Sequence, residues 1–405
     1  MLREGKAGMG VALRYNVPIP AKEFLMLKRI LFCAFLISLA LTACEPVTSA
    51  PPTTVTDDSP GPATEPPITQ PPSDAIVQIP VHVGYGYQGS WFEVYFTDPA
   101  NPAANQESGG VEEAVIASID SARLTIDAAF YSLSLREVAN ALLRARDRGV
   151  QVRVVMESDN RDKSVPQALI EGGIPILGDR REGLMHDKFI IIDRSEVWMG
   201  SMNYTVNGAY DDNNNMVHIR SVKVAENYAV EFEEMYTDDM FGADSVATTP
   251  NPFLTVDGTD VETYFSPDDN VAARLLDVLS LAQESIYFLA YSFTADDIAQ
   301  VMRDRFTAGV TVQGVMENAQ IESNQGTEFD LFRQFEIDVR RDGNSGQMHH
   351  KLIIVDRSIV ITGSYNFTAS AEDRNDENLI IIYSPEIANL FLQEFQRVFG
   401  IAVTQ

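Results

Sequence analysis

Short apolar runs alternate, along most of this chain, with stretches in which apolar side chains recur every three or four positions. RLTIDAAF (123–130), VQVRVVME (150–157), SIYFLAYS (285–292) and VTVQGVME (310–317) have the length and β-branched content of buried strands. Between the members of each pair, LREVANALLRARDRG (135–149) and ADDIAQVMRDRFTAG (295–309) carry a helical period. Each ends on a glycine, Gly149 or Gly309, where a helix terminus needs a positive φ. SEVWMGS and SIVITGS predict further strands, and KVAENYAVEFEEMY and EIANLFLQEFQRVFG predict helices. Such alternation predicts an α/β protein, with helices laid over mixed sheets.

The pattern is written twice. The segment from Tyr131 aligns with that from Tyr291 at an offset of 160, and MHDKFIIIDRSEVWMGSMNYT from Met185 aligns with MHHKLIIVDRSIVITGSYNFT from Met348 at 163. Upstream, VYFTDP and TYFSPDD align at 169, so the first copy carries extra residues, assigned to NPAANQESGG. A unit of this size is too long for a solenoid period and predicts two domains, 79–245 and 246–405, packed around a pseudo-twofold axis. Residues 241–260, rich in Gly, Thr, Pro and Asp, read as the crossover between them.

The first 78 residues follow other rules. MLKRILFCAFLISLALTAC, starting at Met26, places Lys28 and Arg29 before an apolar run that is short of the roughly 20 residues needed to span a bilayer. Residues 26–43 therefore read as an export signal, and residues 1–25 as a mis-called start without function. LTAC resembles the lipobox of bacterial lipoproteins, which implies lipidation of Cys44 and a cell-envelope location, with secretion as the alternative. Between positions 46 and 74 lie nine Pro, six Thr and three Ser, with no Lys or Arg, a composition that cannot bury a core. Residues 44–78 are thus read as a tether, able to reach roughly 90 Å at about 3.1 Å per residue.

Charge narrows the partners. The whole chain carries 30 basic and 58 acidic residues, a net charge of −28. A field of that sign opposes polyanions unless a basic groove is present. Only Arg144, Arg146 and Arg148, and the pair Arg340 and Arg341, form clusters. Cys33 and Cys44 both precede the domains, so neither a disulfide framework nor a thiolate metal site is expected in them.

The remaining chemistry sits in rare residues. After the signal there are four Lys and five His, and two Lys and three His fall inside the repeated motif. A His-x-Lys-x4-Asp pattern is expected fewer than about 0.01 times by chance from this composition. It occurs twice, at equivalent places. Strand parity sends His186 with Lys188, and His349 with Lys351, to the same face. Asp193 and Asp356 have the opposite parity and read as structural supports of the DRS turn. Asp187 and His350 read as bystanders, and His82 and His218 as ordinary structural histidines. Two imidazoles and two ammonium groups suit a phosphodiester: one imidazole attacks phosphorus, the other protonates the departing alkoxide and then activates water. Ser201, Asn203, Ser364 and Asn366 are candidate donors to the phosphoryl oxygens. Neither a metal nor another cofactor is called for. DDNNN (211–215) and DRNDEN (373–378) read as solvated turns rather than calcium loops. Tyr85, Tyr87 and Trp91 are open to two readings, a membrane contact or ordinary strand packing.

HDKFIIID with GSMN, and HHKLIIVD with GSYN, resemble the two HKD motifs of the phospholipase D superfamily, over roughly residues 90–400. The resemblance implies a two-lobed α/β sandwich and a covalent phosphohistidine at a single site of a monomer. It leaves open phospholipase, nuclease, phosphatidyltransferase or a noncatalytic envelope protein. The envelope address and acidity favour hydrolysis of the distal phosphodiester of membrane phospholipids, with nucleic acid second. A family carboxylate at the position of Glu377 bonds its motif histidine, which implies Glu377 beside His349 and Asn214 beside His186, unless Asp211 or Asp212 supplies a second carboxylate. On that pairing His186 is the nucleophile and His349 the acid.

Overall fold

The computed structural model describes residues 75–404. The signal, Cys44 and nearly all of the tether lie outside the described residues. The first repeat contributes nine strands: β1 (Val77–Ile79), β2 (Tyr85–Gln88), β3 (Phe92–Phe96), β4 (Thr125–Phe130), β5 (Gln151–Met156), β6 (Ile176–Gly178), β7 (Lys188–Ile192), β8 (Glu196–Gly200) and β9 (Asn215–Arg220). The second contributes eight: β10 (Phe253–Val256), β11 (Thr259–Ser266), β12 (Ser285–Ala290), β13 (Thr311–Met316), β14 (Asp338–Arg341), β15 (Lys351–Val355), β16 (Ile359–Gly363) and β17 (Glu377–Tyr383). The sheets run β1-β2-β3-β9-β8-β7-β4-β5-β6 and β10-β11-β17-β16-β15-β12-β13-β14. From β3 and from β11 onward the two orders are the same, so the repetition in sequence is a repetition of topology. In each, one end of the sheet is parallel, β4-β5-β6 in the first and β12-β13-β14 in the second, and the remaining neighbours are antiparallel.

Strand parity sorts the side chains into layers. Phe189 and Ile191 of β7, and Leu352 and Ile354 of β15, enter a central core. That core also contains the inward faces of helices Val222–Tyr236 and Pro385–Ile401. Ile190, Ile192, Ile353 and Val355 point the other way, into two outer cores. Helix Arg136–Asp147 closes the first outer core with Val138, Ala141, Leu142 and Ala145, the spacing of one helical face. Helix Asp296–Thr307 does the same for the second with Ile298, Ala299 and Met302. Full burial of each large apolar side chain contributes about 1.5–3 kcal/mol, so three continuous cores clamp both sheets. Gly149 and Gly309 have φ of 94° and 96°, the left-handed geometry expected of them.

The segment 241–260 is more regular than a plain crossover: β10 lies in it and pairs with β11, which begins at Thr259. Tyr85 and Tyr87 hydrogen-bond to Glu394 and Gln393 of the closing helix of the second repeat, and Trp91 is buried. These aromatics pack within the protein. Among the described residues no helix is long and apolar enough to cross a membrane.

Candidate active site

The site forms at the carboxyl ends of β4 and β12, where β7 and β15 begin. Each motif strand is stopped by its aspartate. The Asp193 carboxylate accepts backbone N–H bonds from Arg123, Leu124 and Thr125 at 2.7–3.2 Å, and Asp356 does the same for Gln283, Glu284 and Ser285 at 2.7–3.1 Å. Asp193 with Arg194, and Asp356 with Arg357, take φ of 50–54°, as the two central residues of a type I′ turn require, and Ser195 N–H and Ser358 N–H close those turns on Ile192 O and Val355 O. These carboxylates therefore hold the turns, away from the imidazoles.

His186 and Lys188, and likewise His349 and Lys351, are buried side by side at the strand starts. Each lysine donates to the carbonyl of its own motif histidine, at 2.8 Å for Lys351. Lys188 lies 5.0 Å from the ring centre of Tyr131, and Lys351 4.6 Å from that of Tyr291. The same rings meet His186 and His349 edge-on at 4.8 and 4.6 Å. In the sequence Tyr131 and Tyr291 mark only the start of the repeated segment; their identical place in both copies is the signal that they line the site. Burial, followed by the two lysine charges, holds both imidazoles well below the usual histidine range. Burial also lowers Lys188 to about 7 and brings Lys351 well down. Each ammonium acts on both imidazoles, so the two motifs form one electrostatic site. A phosphodiester anion placed between them would restore the positive forms.

The partners of the histidines are exchanged between repeats. His186 Nδ1 lies 2.7 Å from Glu377 Oε2, and His349 Nδ1 lies 3.0 Å from Asn214 Oδ1. The expected pairing within each repeat is thus reversed. Its cause is the backbone: Met185 bridges Asp376, and Met348 bridges Asn213, so each motif strand is laid against the other repeat's loop. His186 N–H donates to Asp376 O, and His349 N–H to Asn213 O, both at 2.9 Å. Asp212 does not supply a second carboxylate to the imidazoles, because its Oδ1 accepts the Gln347 N–H at 2.9 Å. DDNNN and DRNDEN are consequently not solvated turns. Asp212 through Asn215 and Asn375 through Asn378 are buried, and they carry the crossed contacts.

Two further expectations change. Ser201 and Ser364 are fully buried and already bonded. Ser201 Oγ donates to Asn214 Oδ1 at 2.8 Å and accepts Asn215 N–H at 3.0 Å; Ser364 Oγ accepts Asn378 N–H at 2.9 Å. Ser201 thus orients Asn214, the partner of His349, and Ser364 anchors Asn378, the neighbour of Glu377. The preceding glycines permit this, since a Cβ on Gly200 or Gly363 would stand 2.4 or 2.2 Å from the carbonyl oxygen of Asn215 or Asn378. Asn203 and Asn366 are half-buried, and through their Nδ2 donors both remain candidates for holding a phosphoryl oxygen.

Asp187 and His350 face away from the site, as their parity requires, yet neither is idle. His350 is fully buried between Glu394 at 2.9 Å and the Asn215 amide at 3.0 Å, and Asp187 accepts from Asn378 at 2.6 Å. His218 stacks on Trp198 at 4.4 Å and bonds Glu196 at 2.5 Å. The arginine clusters are consumed locally. Arg144 and Arg148 pair with Asp120, and Arg146 with Asp147; Arg340 lies over Phe399 at 3.6 Å, and Arg341 bonds Asn318 at 2.8 Å. Among the described residues no group of three or more His, Cys, Asp or Glu side chains has the arrangement to hold a metal ion.

Comparison with known proteins places this geometry. The family described as "Cardiolipin synthase, PLD-like domain" matches residues 115–236 and 275–399. A mitochondrial cardiolipin hydrolase of Chlamydomonas reinhardtii is 34% identical over 126 residues, which cover 31% of this chain and 56% of the relative. The match thus spans little more than half of that protein. A phospholipase D of Rickettsia bellii is 32% identical over 166 residues, 40% of this chain and 82% of the relative. The crystal structure of a phosphatidylserine synthase from Haemophilus influenzae has the same fold, with a TM-score of 0.57 at 14% identity, covering 75% of this chain and 86% of the other.

Proposed function

Starting from the premise that this chain belongs to the phospholipase D superfamily, with two PLD-like repeats, we propose that it hydrolyses the distal phosphodiester of membrane phospholipids. The products are phosphatidate and the head-group alcohol. The observation that carries this reading is the joining of two His-Lys pairs into one site by exchanged histidine partners. Relatives named phospholipase D and cardiolipin hydrolase support the lipid. So does the local pairing of the arginines a nucleic-acid groove would need.

In the proposed reaction Nε2 of His186 attacks phosphorus while the P–O bond to the head group breaks, and protonated His349 gives its Nε2 proton to the departing alkoxide. His349 then takes a proton from water, whose oxygen displaces His186 and releases phosphatidate. Lys188 and Lys351 neutralise the phosphoryl oxygens, and Asn203 and Asn366 hold them. The exchanged partners alter the argument for these roles. With both imidazoles held neutral, and the Glu377 carboxyl itself raised by burial to about 7, a resting imidazolium is not what separates them. The separation arises when the P–N bond forms, because the phosphorylated imidazole becomes positive and Glu377 compensates it. Asn214 gives His349 no such compensation, leaving it the readier proton donor.

The same reading has the enzyme exported and tethered through lipidated Cys44. The test is turnover by purified protein on mixed phospholipid vesicles and on single-stranded DNA, with and without EDTA. Release of head group from the vesicles supports the proposal. Cleavage of DNA alone would replace it with a nuclease, and activity lost in EDTA and restored by calcium would refute the mechanism.

A further inference from the structure

Two glutamates with no part in the exchanged histidine contacts occupy equivalent places beside the site. Glu157 and Glu317 directly follow β5 and β13, 160 residues apart, and both are 4% exposed. Each carboxylate makes the same two bonds. Glu157 Oε1 accepts Asp159 N–H at 3.1 Å, capping helix Ser158–Arg161, and its Oε2 accepts Met185 N–H at 3.1 Å. Glu317 Oε1 accepts Ala319 N–H at 3.2 Å, capping helix Asn318–Ser323, and its Oε2 accepts Met348 N–H at 2.7 Å. Met185 and Met348 are the residues immediately before the two site histidines.

Each histidine is therefore approached by backbone fastened on both sides. On one side the other repeat accepts the histidine N–H through Asp376 O or Asn213 O. On the other, the glutamate accepts the preceding N–H. With both amides fixed, the Cα–Cβ direction of the histidine is fixed, and with it the line along which Nε2 meets phosphorus. A neutral acceptor would satisfy either amide. A carboxylate has two oxygens in one plane, so it can serve the helix start and the motif strand together, tying β5 to β7 and β13 to β15 at the level of the reacting atoms.

We propose that Glu157 and Glu317 are positioning residues, each aligning one imidazole: Glu157 the nucleophile His186, and Glu317 the acid His349. The assignment of which step each serves rests on the histidine roles given above; the positioning itself does not. Displacements of an ångström at such a site cost on the order of 100-fold in rate.

The test compares the full chain with Glu157→Ala, Glu317→Ala and the corresponding Gln variants. Two substrates are used: bis-p-nitrophenyl phosphate, whose leaving group needs no proton, and phosphatidylcholine in mixed micelles, whose leaving group does. Rapid-quench phosphoenzyme formation is read beside kcat and KM. Glu157→Ala is expected to slow phosphoenzyme formation on both substrates by roughly 100-fold. Glu317→Ala is expected to slow it on phosphatidylcholine only, with KM little changed in both variants. Glutamine, which keeps one acceptor for the methionine N–H, is expected to recover at least about tenfold of each loss. A purely structural role predicts equal losses on both substrates in both variants, and that result overturns the proposal; should an Ala variant not fold, the Gln variants on the same two substrates separate the same outcomes. The mirrored pattern, with Glu157 sensitive to the leaving group, keeps the positioning and reverses the histidine roles.

Discussion

Replacing Asp187 by Asn removes one buried charge and keeps its shape. Asp187 is 0% exposed; its Oδ1 accepts from Asn378 Nδ2 at 2.6 Å, and its Oδ2 has no partner. Burial raises its carboxyl from 3.8 to about 7, and the charge of Glu377 adds to the rise, against the Asn378 bond and Lys188. A carboxyl raised in the folded state binds more protons there than in the unfolded chain. Its stabilisation is complete below about pH 4 and is lost as the pH climbs through 7. A rise of three units corresponds to about 4 kcal/mol, an upper figure because neighbouring groups relax. His186, His349 and Lys188 titrate nearby with the opposite sign, since their folded values are depressed. Only the difference between variant and wild type isolates Asp187. Urea unfolding of both proteins at intervals from pH 4 to pH 8 should show Asp187→Asn gaining on wild type as pH rises, by up to about 4 kcal/mol. Parallel curves, or a gap that closes with pH, would refute the buried-charge argument.

Lys188→Ala and Lys351→Ala should each lower turnover about 100-fold, since each ammonium serves the one joint site; half-activity after damage to either copy would mean two independent sites. His350→Ala should leave chemistry nearly intact but cost about 1–3 kcal/mol in chemical denaturation, because buried Glu394 loses one hydrogen bond while Arg397 still pairs its charge; an unchanged midpoint would contradict that. Cells expressing the wild-type chain and fed a clickable fatty acid should label it, whereas Cys44→Ser should remain unlabelled; equal labelling removes the lipoprotein reading.

What could be read from sequence was whatever follows from period and parity. The α/β layering, the repeat and the shared face of His186 with Lys188 are local consequences of strand and helix geometry, and the fold has them. What escaped were relations across the pseudo-twofold axis. Aligning the copies equates Glu377 with Asn214, but equivalence says nothing about which histidine either one touches. The exchange is set by the bridges Met185 to Asp376 and Met348 to Asn213, which join residues far apart in the chain. For the same reason DDNNN and DRNDEN looked like solvated turns: their composition is that of turns, while the amide and carbonyl of Asn213 and of Asp376 bond the opposite repeat.

The copies also differ where parity points them into the central layer. Asp187, Glu231 and Glu234 of the first repeat stand where the second has His350, Glu394 and Arg397. The second set neutralises itself: His350 bonds Glu394 at 2.9 Å, and Arg397 bonds it at 2.8 Å. The first set is carboxyl throughout, with Asp268 and Asp376 acting on it as well, and burial pushes Glu231 and Asp376 well above the usual range. One backbone plan thus supports two electrostatic solutions directly behind the two motifs. The carboxyls gathered behind the proposed nucleophile come from both repeats and must hold protons to stay uncharged, so the acid-to-neutral range is where this side of the central layer should lose stability.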